Sequence, residues 1–490
     1  MQKITKGRFF STVGFFTKDR YQVKRGDFGY VTDKELKEFE SILGKDRVLT
    51  DENEVSAYNV DWLKTVAGEG KVVLKPKTVE EVSQIMKTCH RSRIAVCPQG
   101  GKTGLVGGSV PVFDEVIIST SLMNKIYDIN QLGGTVKCDS GCILESLDEA
   151  LADRGMMMPL DLGAKGSCQI GGNISTSAGG LRLLRYGTMQ ANTLGLEVVL
   201  ADGTILNMLN SLRKDNTGYH LRQLFIGSEG TLGLVTKAVI QCPVRPKSVN
   251  LSFLGLPSYD AVLATYRLAK DMLSETLSSC EMIDTPSFES VLTLGLKSPL
   301  SSDYPFYMLI ETHGSSEEHD STKMTSFLER CMEEGHVLDG TFSNEPSRMH
   351  NIWQLRERIA ESMAKNHYIF KYDITLPLEK FYEVTRVMKE HMSKFGSRVE
   401  VTGFGHLGDG NMHLNLLTDK YDPEVEKHIE PFIFEWTASV GGSISAEHGI
   451  GFKKAKYLHY SKSTEAIALM RHIKGVMDPK GILNPYKVLA

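Results

Sequence analysis

Three glycine-dense segments between residues 99 and 236 restrict this chain's architecture more than any other feature. They are Gln99-Gly100-Gly101-Lys102-Thr103-Gly104-Leu105-Val106-Gly107-Gly108-Ser109, the stretch from Met158 to Gly180, and Phe225-Ile226-Gly227-Ser228-Glu229-Gly230-Thr231-Leu232-Gly233. Glycine has no Cβ, so such a backbone comes close to a ligand and turns its N–H groups toward an anion. Lys71–Pro76 reads as a strand, Thr78–Met86 as a capped amphipathic helix, and Arg93–Pro98 as a second strand that runs straight into the first segment. A pyrophosphate is the natural guest of such a loop at a strand's end. The Gly101-Lys102-Thr103 triplet lacks the glycine that a nucleoside triphosphate loop needs five positions earlier, where Val96 stands. Three such segments in succession imply one extended ligand threaded through a domain.

A second constellation lies near the C-terminal end. Val401 to Leu416 contains His406 and His413 among glycines, and Glu447-His448-Gly449 follows some thirty residues on. Two imidazoles and a carboxylate are the usual protein ligands of a catalytic zinc, with a position left for substrate. In a strand from Met412 to Leu417, His413 and Asn415 share a face. His448, beside the metal rather than on it, would serve as a general base. Gly403 to Gly408 also matches G-x-G-x-x-G, but that fingerprint requires a following helix, and Asp409-Gly410-Asn411 leads into an alternating strand. The same ligand set describes the iron of non-haem oxygenases, which would leave the glycine segments without a purpose.

A chain of 490 residues exceeds one core and predicts at least two domains. A net charge of -4 gives no sign of a nucleic-acid binder, and no apolar run reaches the roughly 20 residues of a membrane helix. The 8 cysteines are scattered, which predicts reduced thiols inside the cell. Residues 1–32 hold seven basic and two acidic residues, with Phe9, Phe10, Phe15 and Phe16 supplying an apolar side, the composition of a mitochondrial transit segment. Helices are expected from Asp33, over Asp260–Leu277 and over Asn351–Lys365, and strands at Gly195–Ala201, Ser252–Leu254 and Phe306–Glu311. The proline-flanked stretch Pro243–Pro246 reads as a linker.

In order, the Pro-x-Gly-Gly-x-Thr-Gly loop, the Gly-Gly-Asn segment and Gly-Ser-Glu-Gly-Thr-Leu-Gly resemble the FAD-binding domain of the vanillyl-alcohol oxidase and para-cresol methylhydroxylase fold. Gly-His-x-Gly-Asp-Gly-Asn-x-His and Glu-His-Gly resemble its 2-hydroxy-acid dehydrogenase branch. The resemblance covers nearly everything after about residue 45. It also extends to Ser177–Gly187, Ser211–Tyr219, Trp353–Ile359 and Asp478–Lys487.

The resemblance implies an α+β protein: a two-part FAD-binding domain, an α+β cap carrying the substrate site, and a C-terminal segment returning to the first domain. The boundaries it implies are 1–32 for the leader, 33–245 for the FAD domain (core 65–245), 246–445 for the cap and 446–490 for the returning segment. Implied cofactor contacts are Pro98, Gly100, Gly101, Thr103, Gly104, Pro159, Asp161, Gly163, Gly171, Gly172, Asn173, Gly179, Gly180, Gly227, Glu229, Gly230 and Asn484. No histidine stands in the first glycine loop to attach FAD covalently, so a non-covalent flavin is expected. Zinc would sit on His406, His413 and Glu447. Arg356, Lys371, Asn415 and His448 would bind a small 2-hydroxydicarboxylate, since arginine's fork suits a carboxylate. His448 would take the hydroxyl proton as hydride passes to the flavin. Arg358 is left as a salt-bridge former. One departure stands out: the family's threonine one turn after the arginine is Ala360 here, with Ser362 nearby. The resemblance further implies the mitochondrial matrix and an electron-transfer flavoprotein as acceptor. The neighbouring alternative is D-lactate, which needs no second cationic anchor; a flavoprotein without catalysis would not need the histidine set.

Overall fold

The computed structural model describes residues 16–489, and the chain divides into two units. One comprises residues up to Gly179, Thr188–Val244 and Glu447 onward; the other comprises Gly180–Gly187 and Arg245–Ala446.

The first unit holds two sheets. In the smaller, Val73–Leu74 and Val96–Gln99 flank Val116–Ser119 in parallel, and Val48–Leu49 adds an antiparallel edge. Helix Val79–Arg91 covers it for reasons visible in its composition. Thr78 caps the Glu81 N–H, Glu80 and Glu81 occupy the positive N-terminal turn, and His90 and Arg91 the last turn. Val79, Val82, Ile85, Met86 and Cys89 recur at helical spacing and are fully or nearly fully buried, each worth about 1.5–3 kcal/mol if wholly removed from water. The second sheet has five antiparallel strands, with Leu234–Gln241 central between Thr135–Asp139 and Thr193–Val199. The chain's end returns to the first sheet: Val96 donates to Ile482 O and Asn484 to Val96 O, both at 2.8 Å. All eight cysteines are unpaired and buried.

Of the basic leader expected over residues 1–32, residues 1–15 lie outside the described residues. From Phe16 the segment is attached to the first unit. Phe16 N donates to Thr65 O at 2.7 Å, Arg25 grips Asp114 through Nε and Nη2 at 2.6 and 3.0 Å, and Gly29 bridges Ile94.

The second unit is an antiparallel sheet of seven strands. They are β1 (Ser248–Leu256), β2 (Leu277–Asp284), β3 (Phe306–Gly314), β4 (Asp339–Ser343), β5 (Tyr368–Thr375), β6 (Glu400–His406) and β7 (Asn411–Thr418). Their spatial order is β4-β1-β3-β2-β6-β7-β5. Residues directly paired across strands share a face. The registers Phe253–Leu309, Leu309–Glu281, Ile283–Phe404, Phe404–His413 and His413–Asp373 therefore place one continuous set of residues on one face. At one end of it Phe253, Phe288 and Tyr307 pack with centroids 4.0–5.6 Å apart. Helices Thr285–Leu292, Pro346–Glu357 and Ile359–Asn366 contribute to that core through residues such as Val291, Trp353 and Met363.

The single helix expected over Asn351–Lys365 is two. Arg358 sits between them at φ -92 and ψ 6 and clasps Glu361 through two 2.8 Å hydrogen bonds, so Arg356 falls in the last turn of the first helix. The helix expected over Asp260–Leu277 ends at Leu273, where a short 3-10 turn precedes β2.

Candidate active site

The two histidines of the central motif belong to a hairpin rather than a loop. His406 is the last residue of β6, residues 407–410 turn, and His413 is the third residue of β7. Two glycines permit this. Gly405 lies where a Cβ would stand 2.1 Å from Asn411 O, and Gly410 adopts φ +76 at the end of the turn. The hairpin brings His406 Nε2 and His413 Nε2 to 3.3 Å. Two nitrogens bound at about 2.0–2.1 Å to a tetrahedral zinc stand about 3.3–3.4 Å apart, so the pair already has ligand spacing.

Carboxylates set the ring orientation. Glu281 Oε1 takes His406 Nδ1 at 2.8 Å, and Asp373 Oδ1 stands 3.8 Å from His413 Nδ1 while accepting Asn411 Nδ2 at 2.8 Å. A proton kept on Nδ1 leaves Nε2 as the electron-pair donor, which is the tautomer a metal requires.

The same face carries the expected substrate cations. Arg356 is 6% exposed; its Nε donates to Glu281 Oε2 at 2.9 Å and its guanidinium lies 4.6 Å from the Phe404 ring centroid. Its Nη2 is buried without a hydrogen bond. Lys371 pairs in register with Asn415, which in turn pairs with Thr402. Among the described residues no carboxylate lies within ion-pair distance of Lys371, and burial pushes its pKa down. A buried guanidinium N–H and a desolvated ammonium, both lacking an anionic partner, fit a ligand that carries carboxylates. Asn415 is buried and donates through Nδ2 to His413 O at 3.1 Å. Glu281 itself, 1% exposed, is held below the usual carboxylate range: burial would raise it, but the His406 and Arg356 charges outweigh that.

Ser362 does not replace the missing threonine. Its hydroxyl donates to Ile359 O at 2.8 Å and meets Ser290 Oγ at 2.9 Å.

Glu447 and His448 open the returning stretch of the first unit, one and two residues after Ala446. Ala446 closes the second unit, and its N–H donates to Asp373 Oδ2 at 3.2 Å. Beyond them, Ile450 and Gly451 donate to the two oxygens of Glu229, each at 2.7 Å. The Glu229 carboxylate therefore holds the loop after His448, and burial raises its pKa. Asn484 acts similarly: its Nδ2 donates to Gly108 O at 2.9 Å and Glu229 O at 2.7 Å, and its Oδ1 accepts Lys487 Nζ at 2.7 Å.

The glycine segments of the first unit have an open side and a closed side. Gly101 and Gly171 back onto Ser167 O and Ser140 Cβ, at 2.1 and 2.5 Å from where a Cβ would be. Gly104, Gly163 and Gly172 would place a Cβ in open space. Buried Gln99 Oε1, Ser140 Oγ and Asn173 Oδ1 make no hydrogen bond within the protein. Polar atoms without partners beside glycines that face open space fit a flavin, whose ring and ribityl chain supply donors. Among the remaining expected contacts, Pro98 packs near Gly230, Pro159 is buried, and Asp161 lies 3.5 Å from Lys165 Nζ. Gly227 adopts φ +76, Thr103 and Gly100 are half-buried, and Gly179 and Gly180 stand at the junction of the two units.

Sequence reasoning missed Glu281 and Asp373. Nothing in their local sequence marks them; only the register Glu281–His406 and Asp373–His413 reveals their role.

Residues 70–209 match the family described as the FAD binding domain, and residues 245–488 the FAD linked oxidases, C-terminal domain. The mitochondrial D-2-hydroxyglutarate dehydrogenase of Bos taurus is 50% identical over 96% of this chain and 86% of its own. The D-2-hydroxyglutarate–pyruvate transhydrogenase of Saccharomyces cerevisiae is 42% identical over 96% and 97%. Among solved structures, substrate-bound p-cresol methylhydroxylase superposes with a TM-score of 0.76 at 16% identity, covering 94% of this chain and 98% of that one, which establishes the fold. With half its residues shared across nearly its whole length, the chain belongs to the FAD-linked oxidase family that contains the D-2-hydroxyglutarate dehydrogenases.

Proposed function

We propose that this protein oxidises D-2-hydroxyglutarate to 2-oxoglutarate in mitochondria, using non-covalent FAD and one zinc ion. The observation that carries this reading is the cap face that sets two histidine nitrogens 3.3 Å apart beside Arg356 and Lys371, two cations with binding capacity to spare. When bound, FAD would supply a hydride acceptor for C2 and zinc a Lewis acid for the C2 hydroxyl. His406, His413 and Glu447 supply the ligands. Arg356 and Lys371 hold the two carboxylates and fix the orientation of the C2–H bond. Asn415, tethered to the His413 carbonyl, adds an amide contact. His448 removes the hydroxyl proton.

Electrons leave to an electron-transfer flavoprotein in the matrix. A second reading of the acceptor has support from the yeast transhydrogenase relative, whose name makes pyruvate the oxidant. Residues 1–32 would serve as the import leader, although Phe16 and Arg25 within them make contacts inside the first unit.

The purified protein should be yellow and release its flavin on acid precipitation. D-2-Hydroxyglutarate should bleach it in stopped flow far faster than D-lactate; equal rates would move the substrate to monocarboxylates. His448→Asn should keep FAD and zinc and slow flavin reduction by roughly 10² to 10⁴, the worth of a positioned base. Loss of zinc in that variant would make His448 a ligand instead.

A further inference from the structure

Glu281 belongs to neither expected ligand set, yet it touches both. It lies on β2 opposite His406 of β6, 1% exposed. Its Oε1 accepts His406 Nδ1 at 2.8 Å and Ser279 Oγ at 3.2 Å; its Oε2 accepts Arg356 Nε at 2.9 Å. One carboxylate thus satisfies a proposed metal ligand with one oxygen and a proposed substrate-binding arginine with the other.

We infer that Glu281 is a positioning residue that couples the metal site to carboxylate recognition. The inference rests on the zinc and substrate assignments proposed above. Held on Nδ1, the His406 ring turns Nε2 toward His413. Held on Nε, the guanidinium is fixed in place with its buried Nη2 unpaired within the protein, leaving that N–H for a substrate carboxylate. Rotating the Glu281 carboxylate disturbs both at once, because its oxygens move as one rigid unit. No other side chain among the described residues makes hydrogen bonds to both His406 and Arg356 in this way.

Glutamine at this position has the right size and the wrong valence. Its NH₂ must face either His406 Nδ1–H or Arg356 Nε–H, donor against donor. Zinc affinity of the FAD-loaded enzyme, read by competition with a chromogenic chelator, should fall about 10- to 100-fold in Glu281→Gln, the usual effect of losing an outer partner of a ligating histidine. With zinc then restored to saturation, KM for D-2-hydroxyglutarate should stay raised about tenfold or more while flavin content is unchanged. Ser279→Ala, which removes only the hydroxyl, should leave both quantities near wild type. If the glutamine variant fails to fold, Glu281→Asp serves instead: it keeps the charge but cannot span both partners. Zinc affinity and KM both within twofold of wild type would overturn the inference. So would weakened zinc with a KM that recovers fully at saturation, since Glu281 would then serve the metal alone. A wild-type enzyme that binds no zinc would overturn the metal assignment itself, a result distinct from either.

Discussion

Lys371, proposed above as a substrate contact, shows how a single residue can weaken the fold in order to bind. Burial depresses its pKa and nothing in the described residues offsets its charge. The unfolded chain therefore holds this proton more tightly than the native one. Stability rises with pH through the window between the depressed native pKa and the ordinary lysine value near 10.4, and is level at its lower value below that window. A substrate carboxylate reverses this by favouring the charged form. Lys371→Met should accordingly melt at or above the wild-type temperature in the absence of ligand, with a gain of roughly 1 kcal/mol or less. KM for the dicarboxylate should rise about tenfold or more, as expected for loss of a charged hydrogen bond worth roughly 1.5–3 kcal/mol. Differential scanning calorimetry and steady-state kinetics check the two halves; a destabilised variant with normal KM would make Lys371 structural. The charge pattern around such residues is only half visible in sequence. Arg356 and Lys371 were legible because the family motif contains them, but no spacing rule pairs Arg356 with a glutamate seventy-five positions away.

At the scale of elements, the hairpin β6–β7 does most to build the site. Its strand character was readable from the alternation after Asn411, and its turn from Asp409-Gly410. Its register was not readable, because register is fixed by partners on neighbouring strands. The helix break at Arg358 escaped for a similar reason: neither proline nor glycine marks it, and the local Arg358–Glu361 clasp decides it. Gly410 combines φ +76 with a Cβ position 2.6 Å from Leu376 O. Gly410→Ala should cost about 1–3 kcal/mol of stability through backbone strain alone, plus the clash. It should also weaken zinc binding, because the turn sets where His413 falls relative to His406. Urea unfolding followed by chelator competition would measure both; unchanged zinc affinity in a destabilised variant would show that the strands hold the histidines without the turn.

At the scale of the whole molecule, the basic N-terminal segment continues into contacts with the first unit. Arg25 meets Asp114, Tyr486 Oη accepts the Gly26 N–H at 2.8 Å, and Tyr21 packs edge-on against Phe452 at 5.0 Å. Composition alone could not place the end of the leader, since basic residues serve import and ion pairs alike. A chain starting at residue 16 should therefore unfold at a higher temperature than one starting at residue 33, with a difference of about 2 °C or more, scaling from roughly 1 kcal/mol per few degrees. Identical melting points for the two chains would show that these contacts add nothing.

The strap Gly180–Gly187 has a bearing on how such a protein can be reshuffled. Its Arg182 Nε meets the buried Glu311 of β3 at 3.0 Å, and its Tyr186 hydroxyl meets His313 Nδ1 at 2.6 Å, while His313 Nε2 lies 2.9 Å from Glu311. Burial works against ionised Glu311, yet the Arg182 charge and the His313 contact hold its carboxyl well below the usual range. Removing Arg182 would take away the main countercharge of a buried carboxylate, a loss approaching about 3 kcal/mol. A gene fragment for residues 245–446 is therefore not a transplantable cassette. Recombination between relatives preserves the cap when codons 180–187 travel with it, so these two stretches, far apart in the message, are expected to be inherited as one block.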